Sequence, residues 1–219
     1  MRYPVLLFLI LVVSCSLPRP TSWQPERVSF IAREGMVSFR VSYPGGNFGG
    51  EGFFIAGKSF FYLEGLSPFG STLFQGMLED NRALLVSFLE RRAYLLSLPF
   101  PGEISSYWGT ILMGYLPPPW LEGALILENP KGYLLKKEIP PFRVMVSFDR
   151  AGNLKALTIK EDRTLWRLFF APGKTRFEIP PLRVRGEMSF HTTKELFSPA
   201  KPKIVIPEGF SRLSWEIQK

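Results

Sequence analysis

Few side chains in this 219-residue protein could do chemistry. Cys15 is the only cysteine and His191 is the only histidine, and they lie far apart along the chain. A serine nucleophile of the Gly-x-Ser-x-Gly type is missing, and a metal site needs several clustered ligands. The adjacent acidic pairs at 79–80 and 161–162 stand in turn-like segments, which points their carboxylates apart. The sequence therefore predicts no enzyme, no catalytic residue, no metal and no cofactor.

Cys15 has the clearest chemical setting of these residues. It follows an unbroken apolar run over residues 5–13, with Ser14 directly before it. Such a run is too short to span the ~30 Å hydrocarbon core of a bilayer, but it suits the apolar region of a secretory signal. Aliphatic residues, a small residue and then cysteine resemble the lipobox of bacterial lipoproteins, which implies cleavage before Cys15 and its acylation. The alternative is an incidental or buried thiol behind an ordinary signal peptide.

The lipobox divides the chain into three predicted parts. Residues 1–14 are a signal peptide, residues 15–25 are a proline-containing lipidated tether, and residues 26–219 are one folded domain, which is long enough for a sizeable core. Ser16 is not the Asp that commonly retains lipoproteins at the inner membrane of enteric bacteria, so it is compatible with sorting to the outer membrane.

The charge of the chain indicates which partners it favours. The formal net charge is +8, and losing Arg2 with the signal leaves about +7. The basic residues are scattered in pairs such as those at 91–92 and 136–137, and no run reaches five. Export also conflicts with a nucleic-acid role. We therefore expect no nucleic-acid partner and favour anionic lipid headgroups, with a plainly solvated surface as the alternative.

Apolar residues recur mostly with the period of β-strands. A short helix is predicted over 23–33, a Gly-rich turn over 44–50 and, between prolines, helical segments over 104–116 and 120–127. Strands are predicted over 36–43, 52–63, 72–78, 83–88, 93–98, 133–138, 142–148, 154–160, 164–170, 175–179 and 182–190, with one or two more after 203. This order predicts a mainly β fold, an open antiparallel half-barrel whose helical insert covers a cavity.

Aromatic residues are abundant, with 20 Phe and 5 Trp. Apolar side chains in such a fold either fill a dry core or line a cavity for an apolar ligand. The candidate lining residues are Phe39, Phe53, Ile55, Phe61, Leu63, Trp108, Ile111 and Leu112. For any one of them the dry core remains the alternative.

Two segments resemble the family of LolB, the outer-membrane receptor for lipoproteins, and its periplasmic carrier relative LolA. Residues 60–72 (FFYLEGLSPFGST) are similar to the family's pattern of a strand, a Ser/Asn-Pro-containing loop and a second strand. Residues 107–117 (YWGTILMGYLP) resemble the family's helix with a Trp, an Ile-Leu-Gly-like run and a Pro. The resemblance covers mainly residues 23–117 and becomes loose after Gly132.

This resemblance implies a function. The family's half-barrel binds the acyl chains of lipoproteins, receives them from a LolA-like carrier and inserts them into the outer membrane. The position that matches the family's membrane-engaging loop residue is Phe69, beside Pro68, and Phe48 in the other Gly-rich loop is its rival. The expected location is the periplasmic face of the outer membrane. The alternative is a lipid-anchored assembly protein that binds a protein partner without lipid cargo.

Overall fold

The computed structural model of the protein describes residues 18–27 and 29–216. Cys15 and the predicted signal peptide lie outside the described residues.

Fifteen strands form one sheet in the described part of the chain. They are β1 (Arg19–Pro20), β2 (Ala32–Tyr43), β3 (Gly46–Ala56), β4 (Phe60–Leu66), β5 (Thr72–Glu79), β6 (Arg82–Ser87), β7 (Arg92–Ser97), β8 (Leu125–Asn129), β9 (Gly132–Ile139), β10 (Phe142–Phe148), β11 (Leu154–Lys160), β12 (Thr164–Ala171), β13 (Lys174–Ile179), β14 (Val184–Leu196) and β15 (Ser211–Glu216).

The sheet consists of two antiparallel meanders joined in the middle. Strands β2 to β7 follow one another in space as in sequence, and so do β8 to β14. The two meanders meet where β14 pairs antiparallel with β2, with Met188 opposite Phe39. The outermost strands are β1 beside β8 and β15 beside β7, and they do not pair with each other. The predicted mainly β fold with an open sheet is confirmed.

Alternation along the strands separates an inner face from an outer face. In β10, Phe142, Val144, Val146 and Phe148 are buried, whereas Arg143 between them is exposed. Inner-face residues from both meanders belong to one core, so the sheet curves around it.

A helical insert between β7 and β8 covers the inner face. It contains α1 (Gly102–Ser105), α2 (Trp108–Leu112) and a 3₁₀ turn at Pro118–Trp120. Every residue of α2 is buried. The Trp108 ring lies 4.8 Å from the Trp166 ring of β12 and 5.4 Å from that of Phe100, so α2 is anchored in the common core.

Three local predictions were wrong. Residues 23–27 and 29–31 form no helix, and the Trp23 ring stacks on Tyr133 of β9 at 3.9 Å, a tertiary contact that the local helical spacing does not contain. The Gly-rich residues 46–50 belong to β3 rather than to a long turn. Residues 125–129 form strand β8 rather than helix, and only Pro118–Trp120 turns helically, with the Trp120 indole N–H donating to the Glu103 carbonyl at 2.8 Å.

The connection from β14 to β15 crosses from the middle of the sheet to its far edge. β14 ends beside β2, but β15 pairs parallel to β7 at the far side of that meander. On its way the chain forms an ion pair between Lys201 and Glu79 at 2.6 Å and packs Phe210 against Phe88. It thus ties β15 to β5 and to the turn after β6.

Within residues 18–27 and 29–216, no helix is long and apolar enough to cross a membrane.

The contact between α2 and the β3–β4 turn gives a test of the fold. A Cβ at Gly109 would lie 1.7 Å from the carbonyl oxygen of Gly57, so Gly109→Ala forces the insert away from the sheet. We expect the free energy of unfolding in urea to fall by about 2 kcal/mol or more. Gly102→Ala in α1, where nothing lies within 4 Å, should leave stability unchanged or slightly higher. Equal stability of the two variants would contradict this packing.

Candidate ligand cavity

An apolar cavity of about 240 Å³ lies against the inner face of the sheet. Its walls come from β2, from β4 to β7, from β12 to β14 and from Leu112 at the end of α2. All sixteen lining residues are apolar or glycine. The cavity lies between the sizes of the ~150 Å³ engineered cavity that stays dry and binds benzene and the ~300–1,000 Å³ of drug-sized sites. It has room for part of a hydrocarbon chain.

Four of the predicted lining residues meet around this cavity. They are Phe39 of β2, Phe61 and Leu63 of β4, and Leu112 of α2. Trp108 and Ile111 are fully buried in the core beside it and are not among its lining residues. The insert thus covers the cavity with the last residue of α2, while the earlier residues of the helix hold it in place.

Phe53 and Ile55 lie on the other face of the sheet. In β3 the buried positions are Gly52, Phe54 and Ala56, and Phe54 packs against Phe61 in the core. The prediction that Phe53 and Ile55 face the cavity was therefore wrong. Residues 53–56 are all apolar, so the alternation that sets the inward face elsewhere is missing here.

Several lining residues come from the second meander and were not predicted. Trp166 of β12, Phe177 of β13 and Met188 of β14 face the first meander across the cavity. Local alternation places Trp166 and Leu168 on one face of β12, but only the pairing of β14 with β2 brings that face to Phe39.

Hydrogen bonds fix the insert to one end of the half-barrel, which we call the insert end. The Trp108 indole N–H donates to the Asp80 carbonyl at 2.6 Å, in the β5–β6 turn. The Thr110 hydroxyl donates to the Lys58 carbonyl at 3.3 Å, in the β3–β4 turn. On the second meander, the buried Thr175 hydroxyl donates to the Leu112 carbonyl at 2.9 Å. Both meanders therefore hold α2 across the cavity.

The opposite end, which we call the tip end, carries exposed apolar residues on its turns. Phe69 is 96% exposed at the β4–β5 turn, and Pro68 beside it is also exposed. The Ser67 hydroxyl accepts hydrogen bonds from the Phe69 and Ser71 amides, which fixes this turn. Leu89 is exposed at the β6–β7 turn of the same end.

Phe48 contributes less than Phe69 to the exposed surface of the tip end. Its ring is partly covered because it packs edge-on against Phe39 and Phe74, at 6.1 and 6.0 Å. Phe69 is therefore the more prominent of the two predicted tip residues.

Three titratable side chains have partners within the folded chain. His191 Nε2 lies 2.8 Å from the Ser38 hydroxyl on the exposed face. Burial, together with a hydrogen bond to Glu64, raises the pKa of Tyr62. Hydrogen bonds from Asn153 and Lys155 lower the pKa of the turn residue Asp149. Among the described residues, no group of three or more His, Cys, Asp or Glu could hold a metal ion.

Comparisons with known proteins found similar solved structures only. No family model matches the chain, and no curated protein matches it. A DUF1329 family protein from Desulfovibrio piger has a TM-score of 0.47 at 10% identity, covering 77% of this chain and 87% of that one. A LolA superfamily protein from Nitrosomonas europaea has a TM-score of 0.44 at 10% identity, covering 79% of this chain and 90% of that one. A putative outer membrane lipoprotein-sorting protein domain from Vibrio parahaemolyticus has a TM-score of 0.43 at 10% identity, covering 79% of this chain and 88% of that one.

The hydrogen bond that joins Thr175 to the insert can be tested. Thr175→Val keeps the shape of the side chain but leaves the Leu112 carbonyl without its donor. We expect a loss of about 1 kcal/mol in unfolding free energy and faster amide hydrogen exchange over residues 110–115. Thr158→Val on β11, outside the cavity wall, is the matched control. Unchanged exchange in Thr175→Val would show that this contact does not hold α2.

Proposed function

We propose that this protein is a non-catalytic carrier of acyl chains, which it holds in the inner cavity and passes to a membrane. In the finer form of the proposal it is a LolB-like lipoprotein receptor. It is anchored through acylated Cys15 to the periplasmic face of the outer membrane, takes lipoproteins from a LolA-like carrier and inserts their chains into that membrane. The observation that carries the proposal is the wholly apolar lining of a space left open in the core.

Energetics explain why such a carrier needs a cavity. Burial of each CH₂ is worth ~0.8 kcal/mol, so a sixteen-carbon chain is held in a bilayer by roughly 12 kcal/mol. Exposed to water, the chain would lose all of this stabilisation. A cavity without charged lining residues replaces the bilayer for the part of the chain that it holds, and no covalent step is needed.

The size of the cavity requires the insert to move during loading. At about 240 Å³ the space takes part of one chain, whereas the family's cargo carries several. Leu112 is the lining residue that the insert contributes, and the Thr175 hydroxyl holds it from β13. Withdrawal of Leu112, at the end of α2, would widen the cavity without breaking any strand pairing.

The tip end supports membrane contact. Phe69 and Leu89 project apolar side chains from neighbouring turns, and Arg91 and Arg92 are exposed beside Leu89. An exposed aromatic ring at an end of the sheet that also carries cations suits the interface of a bilayer with anionic lipid. The alternative function, a lipid-anchored assembly protein without cargo, would be favoured by a filled interior, and the open cavity argues against it.

Filling the cavity tests the binding proposal. Gly76 of β5 lines the cavity, and a Cβ there would meet nothing closer than 3.7 Å. We expect a fluorescent fatty-acid probe to bind the protein saturably, with an affinity that falls from Gly76 through Gly76→Ala to Gly76→Leu. Stability in urea should not fall for Gly76→Ala, because alanine reduces the entropy of the unfolded chain. A folded protein that binds no probe at micromolar concentration would refute the cavity function.

The membrane contact can be tested with two equally exposed phenylalanines. Phe69→Glu at the tip end should lower binding to vesicles containing anionic lipid about tenfold or more, because it removes a large apolar side chain from the interface. It should also block lipoprotein delivery while leaving probe binding unchanged.

The matched control for the membrane experiment is Phe197→Glu. Phe197 is also 96% exposed, but it follows β14 near the insert end. Both variants are compared in the Cys15→Ser background, so that a lipid anchor does not mask the contact. Equal vesicle binding by the two variants would remove the membrane role from Phe69.

A further inference from the structure

A second cavity, of about 610 Å³, lies at the insert end and has a different character. It lies between residues 113–115 at the end of the insert, the turns before β11 and β13, and the ends of β2 and β14. We call it the basic pocket, after Arg33, Lys155 and Lys174 in its wall. Leu112 lines the inner cavity and Met113 lines the basic pocket, so consecutive residues separate the two spaces.

The charge of the basic pocket is one-sided. Three cations line it, and none of its lining residues is a carboxylate. Lys155 is paired with Asp149 at 2.9 Å and Lys174 with Glu187 at 2.7 Å, and both of these acids lie outside the lining. These two acids therefore partly balance the charges of the lysines from outside the pocket.

Arg33 is less well satisfied than the two lysines. Its nearest carboxylate oxygen, in Glu195, lies 3.5 Å from Nη2, which is a long contact for an ion pair. Its Nε is buried and has no hydrogen-bond partner in the structure. A buried N–H without an acceptor is unfavourable. The Arg33 side chain is 27% exposed and lines the pocket, so the accessible part of its guanidinium can donate to an anionic oxygen there.

The remaining walls are apolar and aromatic. The guanidinium of Arg33 lies over the Tyr115 ring, 5.4 Å from its centre. Met113, Phe170 and Phe190 continue this surface. A volume of about 610 Å³ falls within the ~300–1,000 Å³ typical of small-molecule sites. The pocket thus combines a poorly satisfied cation with room for an apolar body.

We propose that the basic pocket binds a small amphiphile through one anionic oxygen group, a carboxylate or a phosphate, held by Arg33. The apolar body of the ligand lies against Tyr115, Phe170 and Phe190. This site is additional to the acyl-chain cavity, and the proposal stands even if the inner cavity binds nothing. A ligand there would contact the end of the insert directly.

Calorimetric titration of the full chain carrying Cys15→Ser tests this site with octanoate, octyl phosphate, octanol and inorganic phosphate. We expect octanoate or octyl phosphate to bind at least about tenfold more tightly than octanol, since a charge-assisted hydrogen bond is worth at least that factor. The tighter of the two anions identifies carboxylate or phosphate as the preferred group. Octanol binding as tightly as both anions, or inorganic phosphate binding as tightly as octyl phosphate, would overturn the proposal.

Variants locate the binding. Arg33→Gln should weaken anion binding about tenfold and leave octanol binding unchanged. Lys194 is a nearby cation whose side chain is 76% exposed and does not line the pocket. Lys194→Gln should therefore leave anion binding unchanged. Gly76→Leu fills the inner cavity and should leave octanoate binding intact. If this variant lost octanoate binding, the ligand would lie in the inner cavity and the proposal would be overturned. If Arg33→Gln does not fold, the comparison of octanoate with octanol on the unaltered pocket still decides.

Discussion

Burial of Trp108 under an open sheet is the interaction on which the rest of this structure depends. A curved sheet with unpaired outer edges leaves its inner face open to water, and the apolar area there would favour aggregation. Trp108 closes this face by touching both meanders. Its ring packs on Trp166 of β12, and its indole N–H donates to Asp80 between β5 and β6. The next residue, Gly109, permits this contact because a side chain there would strike the β3–β4 turn.

The same closure leaves part of the interior unfilled. Trp108, Ile111 and Phe100 pack densely towards β10 and β12, whereas the region between Leu63, Leu96 and Phe177 keeps an apolar space. Protein interiors are normally packed to the density of organic crystals, and empty volume forfeits dispersion contacts. Gly76 in this wall is a position where a larger side chain would fit but is missing. This open apolar space is therefore a feature of the sequence that an apolar ligand could cover.

The parts of this fold that depend on local alternation could be predicted from the sequence, and the parts that depend on distant contacts could not. Strand β10 was predicted with its bounds because its Phe and Val residues alternate with Arg143, Met145 and Ser147. In β3 the apolar residues are consecutive, so the sequence did not indicate which of them face inward. The segment after Trp23 has helical spacing, yet its described residues up to 31 form no helix, and Trp23 instead stacks on the distant Tyr133. Four of the sixteen lining residues, Trp166, Phe177, Ile179 and Met188, reach the cavity only through the pairing of β14 with β2, which joins residues about 150 positions apart.

The two ends of the half-barrel carry different kinds of residue. Apolar side chains on short turns mark the tip end, whereas the insert and the basic pocket occupy the other end. The insert is held there by few hydrogen bonds, from Trp108, Thr110 and Thr175, against the continuous ladders between the strands. Leu112, the last residue of α2, is the part of the insert that covers the cavity, and the basic pocket adjoins it through Met113. Because Leu112 and Met113 are consecutive, displacement of this point by a ligand on one side changes the space on the other.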